Sequence, residues 1–438
     1  MDAGLQFDLF GEARPTPMPS ASATRTARSG TFTDNMRLPI HRWFRYSAGF
    51  SAEWVEGLVR DHAEEVPPLV LDPFAGSGTT LIAASKCGAP AVGYESHPFV
   101  ARIAAVKLLW PSDERALLAL AGAFLDRARS SRIRVSNPVP ELLTKCFLPA
   151  TLDRLGRLRE PFQKSAGDAP EWQLIWLAIT AILRPCSHVG TAQWQYVLPN
   201  KRKANSLDPF DAFEAKVHEM ASDMAYAKQA DFAPSARIFN QDARAPAPIP
   251  PASVDLVITS PPYPNNYDYA DATRLEMTFW GEVASWGDLQ DSVRQFIIRS
   301  CSQHTAAERL NLDLLLEDEA IQPIRDELAK VCRELAEVRL AKGGKKTYHT
   351  MIAAYFADLA RVFLELRPVC KTGSKVCFVV GDSAPYGVYV PAEKWLGRLA
   401  LAAGFKEYAF EKLRDRNLKW KNRKHRVPLH EGRLWIEG

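Results

Sequence analysis

The sequence predicts a doubly wound α/β sheet that carries helical insertions. Three observations lead there. Residues 66–100 read as strand, glycine turn, helix and strand, in PPLVLDPF, AGSGTTLIAASKCG and APAVGYES, which is one βαβ unit. The apolar run VDLVITS starts a second strand far downstream and ends abruptly in the corner TSPPYPNNYDY. Beyond it, KVCFVVGDS and AEKWLGRLALAAG again read as a strand followed by a helix. Strands alternating with helices in this way build a sheet covered on both faces.

Composition narrows the class. Of 438 residues, 47% are apolar and 24% charged, which suits a globular protein with a large core. No apolar run reaches the roughly 18 residues that span a bilayer. The opening MDAGLQFDLFGEARP is acidic and amphiphilic and lacks the basic-then-apolar pattern of a signal peptide. Seven cysteines are scattered without CxxC pairs, so neither a zinc site nor a disulfide framework is indicated, and reduced, cytoplasmic thiols are the simplest reading. His41, His188, His349 and His425 stand alone without ligand-like spacing, and no metal is expected. A net charge of +4 tolerates a polyanionic partner without requiring one.

In chain order, residues 1–35 are poor in large apolar groups from position 11 onward and read as a disordered tail. Residues 36–111 hold the glycine-turn unit. Residues 112–236 are mostly helical, with apolar spacing of three and four in ALLALAGAFLDRA and EWQLIWLAITAIL. Residues 237–438 hold the remaining strands, interrupted by a second helical stretch over about 284–345. The chain closes on two strands, KEYAFEKLRD and EGRLWIEG. Trp280 reads as a packing residue and Asp382, in VVGDS, as a cap on a strand end.

The turn DPFAGSGTT carries the first chemistry. Gly76 and Gly78 let the backbone approach a ligand and take positive φ, and the helix opening at Thr79 aims free N–H groups at the same place. The same turn also serves α/β proteins that merely reverse the chain. Glu95 ends the next strand, where a carboxylate accepts hydrogen bonds from ribose hydroxyls. Leu81 stands where the six-position dinucleotide fingerprint needs a third glycine. Asp72 would repel a pyrophosphate but suits a cationic amino-acid moiety, so the site fits S-adenosylmethionine better than a nicotinamide dinucleotide. Asp242, in FNQDARA, reads either as a partner for the adenine amine or as a loop cap.

The corner TSPPY carries the second. Pro261 and Pro262 fix φ and remove two donors, which makes a rigid turn with outward carbonyls at the end of a sheet strand. Ser260 and a neighbouring carbonyl can accept from an exocyclic amine, pull it toward tetrahedral geometry and aim it at a methyl sulfonium, while Tyr263 stacks on the base. Positioning two bound reactants in this way supplies at best about 7–11 kcal/mol.

DPFAGSGTT together with TSPPY resembles the amino-methyltransferases of DNA, which act on cytosine N4 or adenine N6. The first stretch is similar to their FxGxG cofactor motif and the second to their (S/N/D)PPY motif. The resemblance implies a Rossmann-like methyltransferase sheet, S-adenosylmethionine as cofactor, and double-stranded DNA as substrate. It places Ser260, Pro261, Pro262 and Tyr263 in catalysis. It places Asp72, Phe74, Gly76, Gly78, Thr79, Glu95, Asp242 and Thr259 around the cofactor. LPIHRWFRYSAGFSAEWVEGLV resembles the segment that covers the methionine end of that cofactor. The continuation YPNNYDYADATRLE, the strand FVVGDS and the closing KHRVPLHEGRLWIE add matches, so the likeness spans most of 38–110 and 238–438. A serine before the prolines is typical of the cytosine branch. The expected activity is cytosine N4 methylation of an extruded base, with adenine N6 methylation as the alternative. RNA base methylation or a non-catalytic DNA adaptor are more distant readings. The resemblance also implies a possible cognate restriction endonuclease.

About 180 residues separate the two motifs, a departure that leaves room for recognition elements. RPCSHVGTAQWQYVLPNKRKANS mixes Arg184, Lys201, Arg202 and Lys203 with Trp194 and Tyr196, which suits phosphates and bases, though a basic surface loop has the same composition. The stretch 412–426 holds eight Lys/Arg among fifteen residues. Tyr267 is a further candidate to receive the base. Finally, Gln6–Phe10 (QFDLF) resembles the short peptides that bind the bacterial sliding clamp; an amphiphilic stub docking on its own domain is the other reading.

Overall fold

The computed structural model describes residues 32–47, 49–63, 65–132, 139–192, 196–305, 310–344, 346–416 and 427–438. Nine strands are present among them: β1 Val70–Asp72, β2 Ala91–Tyr94, β3 Val189–Thr191, β4 Val197–Arg202, β5 Ala236–Phe239, β6 Val254–Thr259, β7 Cys370–Gly381, β8 Glu407–Arg416 and β9 Leu429–Glu437. Seven form one sheet in the order β5-β2-β1-β6-β7-β9-β8. The pairs from β5 to β7 are parallel, and β9 lies antiparallel between β7 and β8. The order reverses between β1 and β6, so the turns that follow those two strands open into one crevice.

Strand residues alternate between two cores, as the period of two requires. Val70, Leu256, Ile258 and Val379 face the helices Ala52–Asp61 and Thr79–Lys86. Leu71, Val257, Val376 and Phe378 face the helices Arg325–Ala341, Tyr348–Leu366 and Ala392–Ala402. Most of the helix Tyr348–Leu366 is buried, including the whole run Met351–Ala357, so it sits deep in this core.

Between β2 and β5 lie the helices Glu114–Ser130, Pro149–Ser165, Pro170–Cys186 and Pro209–Gln229. Their shared core continues into the helix Pro98–Lys107 and reaches Trp280, which is buried and donates Nε1–H to Thr180 at 2.9 Å. Three strands were not anticipated. β5 is a short edge strand of mixed polarity, ARIF, and its pattern is weak for that reason. β3 and β4 form a separate antiparallel hairpin inside the insertion. No helix among the described residues is long and apolar enough to cross a membrane.

Candidate active site

After β1 the chain turns on Gly76 (φ 53°) and Gly78 (φ 88°), and Gly78 caps the helix Thr79–Lys86 in the left-handed conformation. A side chain at Gly78 would also press on Ala104 at 3.4 Å. Glu95, just past β2, spans the turn: Gly76 N–H donates to Oε2 at 2.9 Å and His97 N–H to Oε1 at 2.8 Å. Burial pushes the Glu95 carboxyl up to about 7, against the pull of the His97 and Gly76 N–H groups.

Asp72 ends β1 and is 2% exposed. Its Oδ1 accepts from Thr259 Oγ1 at 2.6 Å and from Phe74 N–H at 3.0 Å, and its Oδ2 accepts from Thr80 Oγ1 at 2.6 Å. Burial raises its pKa to about 6, opposed by the threonine hydroxyls and the Phe74 N–H. The carboxylate therefore ties the glycine-turn helix to β6, the strand that bears the second motif. Thr259 was expected at the cofactor. It is fully buried with its hydroxyl spent on Asp72, so it supports the site from behind.

After β6, Ser260 Oγ donates to the Val379 carbonyl of β7 at 3.2 Å, so the hydroxyl faces other partners as an acceptor. Asn265 completes the corner in the left-handed region (φ 57°), which asparagine tolerates. The Tyr263 ring lies against Gly381, where an added Cβ would come within 3.0 Å of the ring and 2.6 Å of Arg416 Nη1. The Arg416 guanidinium sits 5.1 Å from the Tyr263 ring centroid and donates to the Asp382 carbonyl at 2.7 Å. Burial holds the Tyr263 phenol well above its ordinary pKa.

The two corners share one cavity of about 470 Å³. Asp72, Phe74, Gly76, Thr79 and Glu95 line it from one side. Ser260, Pro262, Tyr263 and Tyr267 line it from the other. Arg45, Tyr46 and Phe50 close it from the N-terminal segment, and Arg414 and Glu431, an ion pair at 2.8 Å, wall it near Tyr263. Gly78 and Pro261 shape the turns without lining the cavity. Asp242 also stands off the lining, because Arg244 takes both its oxygens, at 2.9 Å (Oδ1) and 2.5 Å (Oδ2), and ties them to the buried Asp358. It stands in an ion-pair network with Arg244 and Asp358.

The expected DNA residues divide. Lys201 and Arg202 are exposed on β4 of the hairpin, whose Ala192 reaches the cavity lining. Tyr196 is half-buried, and its hydroxyl accepts from Asp268 N–H at 2.5 Å. Trp194 lies outside the described residues, as do 417–426 of the second basic stretch and Gln6–Phe10. Arg184 is a correction: it lies within a helix end and donates to Glu276 at 2.5 and 2.8 Å and to the Ala272 carbonyl at 2.7 Å. Glu276 is wholly buried, so this arginine neutralises a core carboxylate. Lys203 likewise turns inward and donates to the Arg184 carbonyl at 2.7 Å. Tyr267 is 6% exposed and lies on the Tyr269 ring at 4.2 Å between centroids, which makes it cavity wall and core together.

Folding also assembles groups that spacing did not reveal. Asp268 caps the helix Tyr269–Ala272, accepts from Arg294 at 2.7 Å and meets His304 Nε2 at 3.1 Å. Burial would raise its carboxyl, but His304 and Arg294 outweigh it and hold the pKa at about 2. Asp382 caps the end of β7 through His430 N–H at 2.8 Å and Tyr389 OH at 3.1 Å, in keeping with the sequence reading. The partners in both networks are 7 to 48 residues away in sequence, too far for a local pattern to show.

A family model described as DNA methylase, of the N6 and N4 methyltransferase type, matches residues 17–106, which include the glycine turn and Glu95. The Type II methyltransferase M.AvaI of Nostoc sp. is 27% identical over 413 residues, 86% of this chain and 81% of its own length. The Type II methyltransferase M.BsoBI of Geobacillus stearothermophilus is 24% identical over 438 residues, 88% of this chain and 82% of its own. Type II methyltransferase M.MjaII of Methanocaldococcus jannaschii is 36% identical over a shorter span of 69 residues, 16% of this chain and 13% of its own. That match on the glycine turn, and relatives aligned along most of the chain that carries both corners, support the N4/N6 amino-methyltransferase family of DNA methylases.

Proposed function

We propose that the chain methylates cytosine N4 in double-stranded DNA with S-adenosylmethionine, as a Type II enzyme like the relatives above. The carrying observation is the common cavity: Gly76, Thr79 and Glu95 line it together with Ser260, Pro262 and Tyr263. Its residues suit that cofactor. Gly76 leaves out a Cβ at the wall, Glu95 presents a carboxyl to hydroxyl donors, and Asp72 gives negative charge near a cationic amino-acid end. When bound, the cofactor supplies an electrophilic methyl group on a sulfonium. Ser260, its own proton held by Val379, accepts from the amine, and the rigid proline turn fixes where that amine sits. Tyr263, backed by Arg416, offers a ring face to a base that has left the stack. The hairpin bearing Lys201 and Arg202 opens beside the cavity, which supports phosphate contact there. The serine before the prolines favours cytosine.

The test is transfer of a labelled methyl group to DNA and to RNA, followed by digestion of the product to nucleosides. N4-methylcytosine in DNA is the expected result. N6-methyladenine would replace the base assignment, and no transfer to either polymer would sink the reading. A cognate endonuclease and docking of Gln6–Phe10 on a sliding clamp belong to the same proposal. Deleting residues 1–11 should abolish clamp binding while methylation of short duplexes persists.

A further inference from the structure

Between the helical insertion and the cavity runs one buried staple. Asp223, on the helix Pro209–Gln229, is 2% exposed and points at the N-terminal segment. Its Oδ2 accepts from Ile40 N–H at 2.9 Å, Arg42 Nε at 3.1 Å and Trp43 Nε1 at 3.0 Å, and its Oδ1 accepts from Arg42 Nη2 at 2.6 Å. From the opposite side, the buried Lys107 donates Nζ–H to the His41 carbonyl at 3.1 Å. Ile40 is held at φ 66° and ψ −46°, a conformation that a β-branched residue adopts only when its surroundings impose it. The hydrogen bond from its N–H to Asp223 is part of that imposition.

The chain leaving this staple becomes the cavity wall. Arg45, Tyr46, Ser47, Gly49 and Phe50 line the cavity, and the Tyr46 ring lies 3.4 Å from the place where a Gly76 Cβ would stand. The far end of this loop is pinned locally: Asn35 accepts from Ala52 N–H at 2.9 Å and donates to the Phe50 carbonyl at 2.9 Å. The wall is therefore slung between a local anchor, Asn35, and a remote one, Asp223, 183 residues from Ile40.

We propose that Asp223 is a positioning residue for the cofactor: the helical insertion sets the shape of the cofactor pocket by stapling residues 40–43, in addition to any part it has in reading DNA. This rests on the reading of the cavity as an S-adenosylmethionine site. Loss of the staple lets Ile40 relax to negative φ and carries Tyr46 away from the glycine turn. Cofactor affinity falls, while the Ser260 corner, on the other side of the cavity, keeps its geometry.

The test compares wild type with Asp223→Ala in the full chain. S-adenosylhomocysteine affinity by calorimetry should fall about tenfold or more, with KM for S-adenosylmethionine rising in step and kcat moving far less. Backbone amides of residues 40–46 should exchange faster in the variant. Trp43→Phe and Arg42→Met each remove part of the donor set and should weaken binding by smaller steps, which keeps the idea testable if Asp223→Ala does not fold. Asp223→Glu should restore part of the affinity. If wild type binds S-adenosylhomocysteine and every variant binds it equally, the staple has no role in positioning. If wild type itself does not bind, the cofactor reading fails and takes this inference with it.

Discussion

The turn after β1 is built on glycines and hands a backbone N–H to a carboxylate; the turn after β6 is built on Pro261 and Pro262, which have no N–H to hand on. The first corner bends into a conformation that only glycine holds cheaply, and a helix N-terminus follows it. The second is stiffened by two fixed φ angles and presents a hydroxyl whose proton is already used. One corner is suited to gripping a large ligand through its backbone, the other to setting the direction of a single amine. On the proposed function, binding and orientation are divided between two strands, so variants in each should fail in different kinetic terms.

The largest effect is expected at the proline corner. Ser260→Ala removes the acceptor for the amine and should lower kcat by about 100-fold, comparable to loss of one aligned hydrogen-bonding group at a reacting centre. The dissociation constant for S-adenosylhomocysteine should stay within about threefold of wild type. Equal losses in both quantities would erase the proposed division between the corners.

A smaller but broader effect is expected where the corners meet. Thr259→Val deletes one of the two hydroxyls on the buried Asp72 at nearly constant volume. A hydrogen bond to a charged group is worth about 1.5–3 kcal/mol, and chemical denaturation should show a loss of that size. Because Asp72 joins β1 and β6, cofactor binding and turnover should decline together. A stability loss with both kinetic terms unchanged would show that the bridge holds the sheet and nothing more.

Both corners were legible in the sequence because each is written in residues whose backbone chemistry is local. Glycine and proline announce a turn whatever surrounds them, and the strands on either side are short apolar runs. What lay hidden was the pairing of charges. Arg184 looked like a phosphate ligand, in the same segment as Lys201, Arg202 and Lys203, yet its partner is Glu276, 92 residues on. Asp242 reads equally as an adenine partner or a loop cap, and neither reading shows its pairing with Arg244, which also meets Asp358. A charged side chain declares what it can bind and not which neighbour the topology will supply. The same limit concealed Asp223, which sits in an unremarkable helix and accepts from Ile40, 183 residues away in sequence.

On the glycine side, Gly78→Ala places a Cβ in a left-handed residue and 3.4 Å from Ala104. The conformational cost is about 1–2 kcal/mol. Thermal denaturation should show the loss, and KM for the cofactor should rise more than kcat falls, the reverse of Ser260→Ala. A variant that lost turnover at unchanged KM would mean that the glycine turn also orients the amine.

The least disruptive way to separate the corners is pH, because the glycine side carries two carboxyls with raised pKa values. Asp72 is pushed to about 6 and Glu95 to about 7, in both cases chiefly by burial. In the unfolded chain both titrate near 4, so between pH 4 and 7 the folded protein binds more protons than the unfolded one. The stability these groups contribute is present at acid pH and is lost as pH rises through about 6 and then 7. Hydroxyl donors from a bound cofactor favour the ionised form of Glu95, so binding should release protons and affinity should climb with pH across that window. Calorimetry of S-adenosylhomocysteine in buffers of different ionisation enthalpy, from pH 5.5 to 8, measures the proton count directly. Glu95→Gln should flatten the profile while leaving the Ser260 corner untouched. An unchanged slope in that variant would assign the titration to Asp72, and with it to the bridge between the corners instead of the ribose end of the pocket.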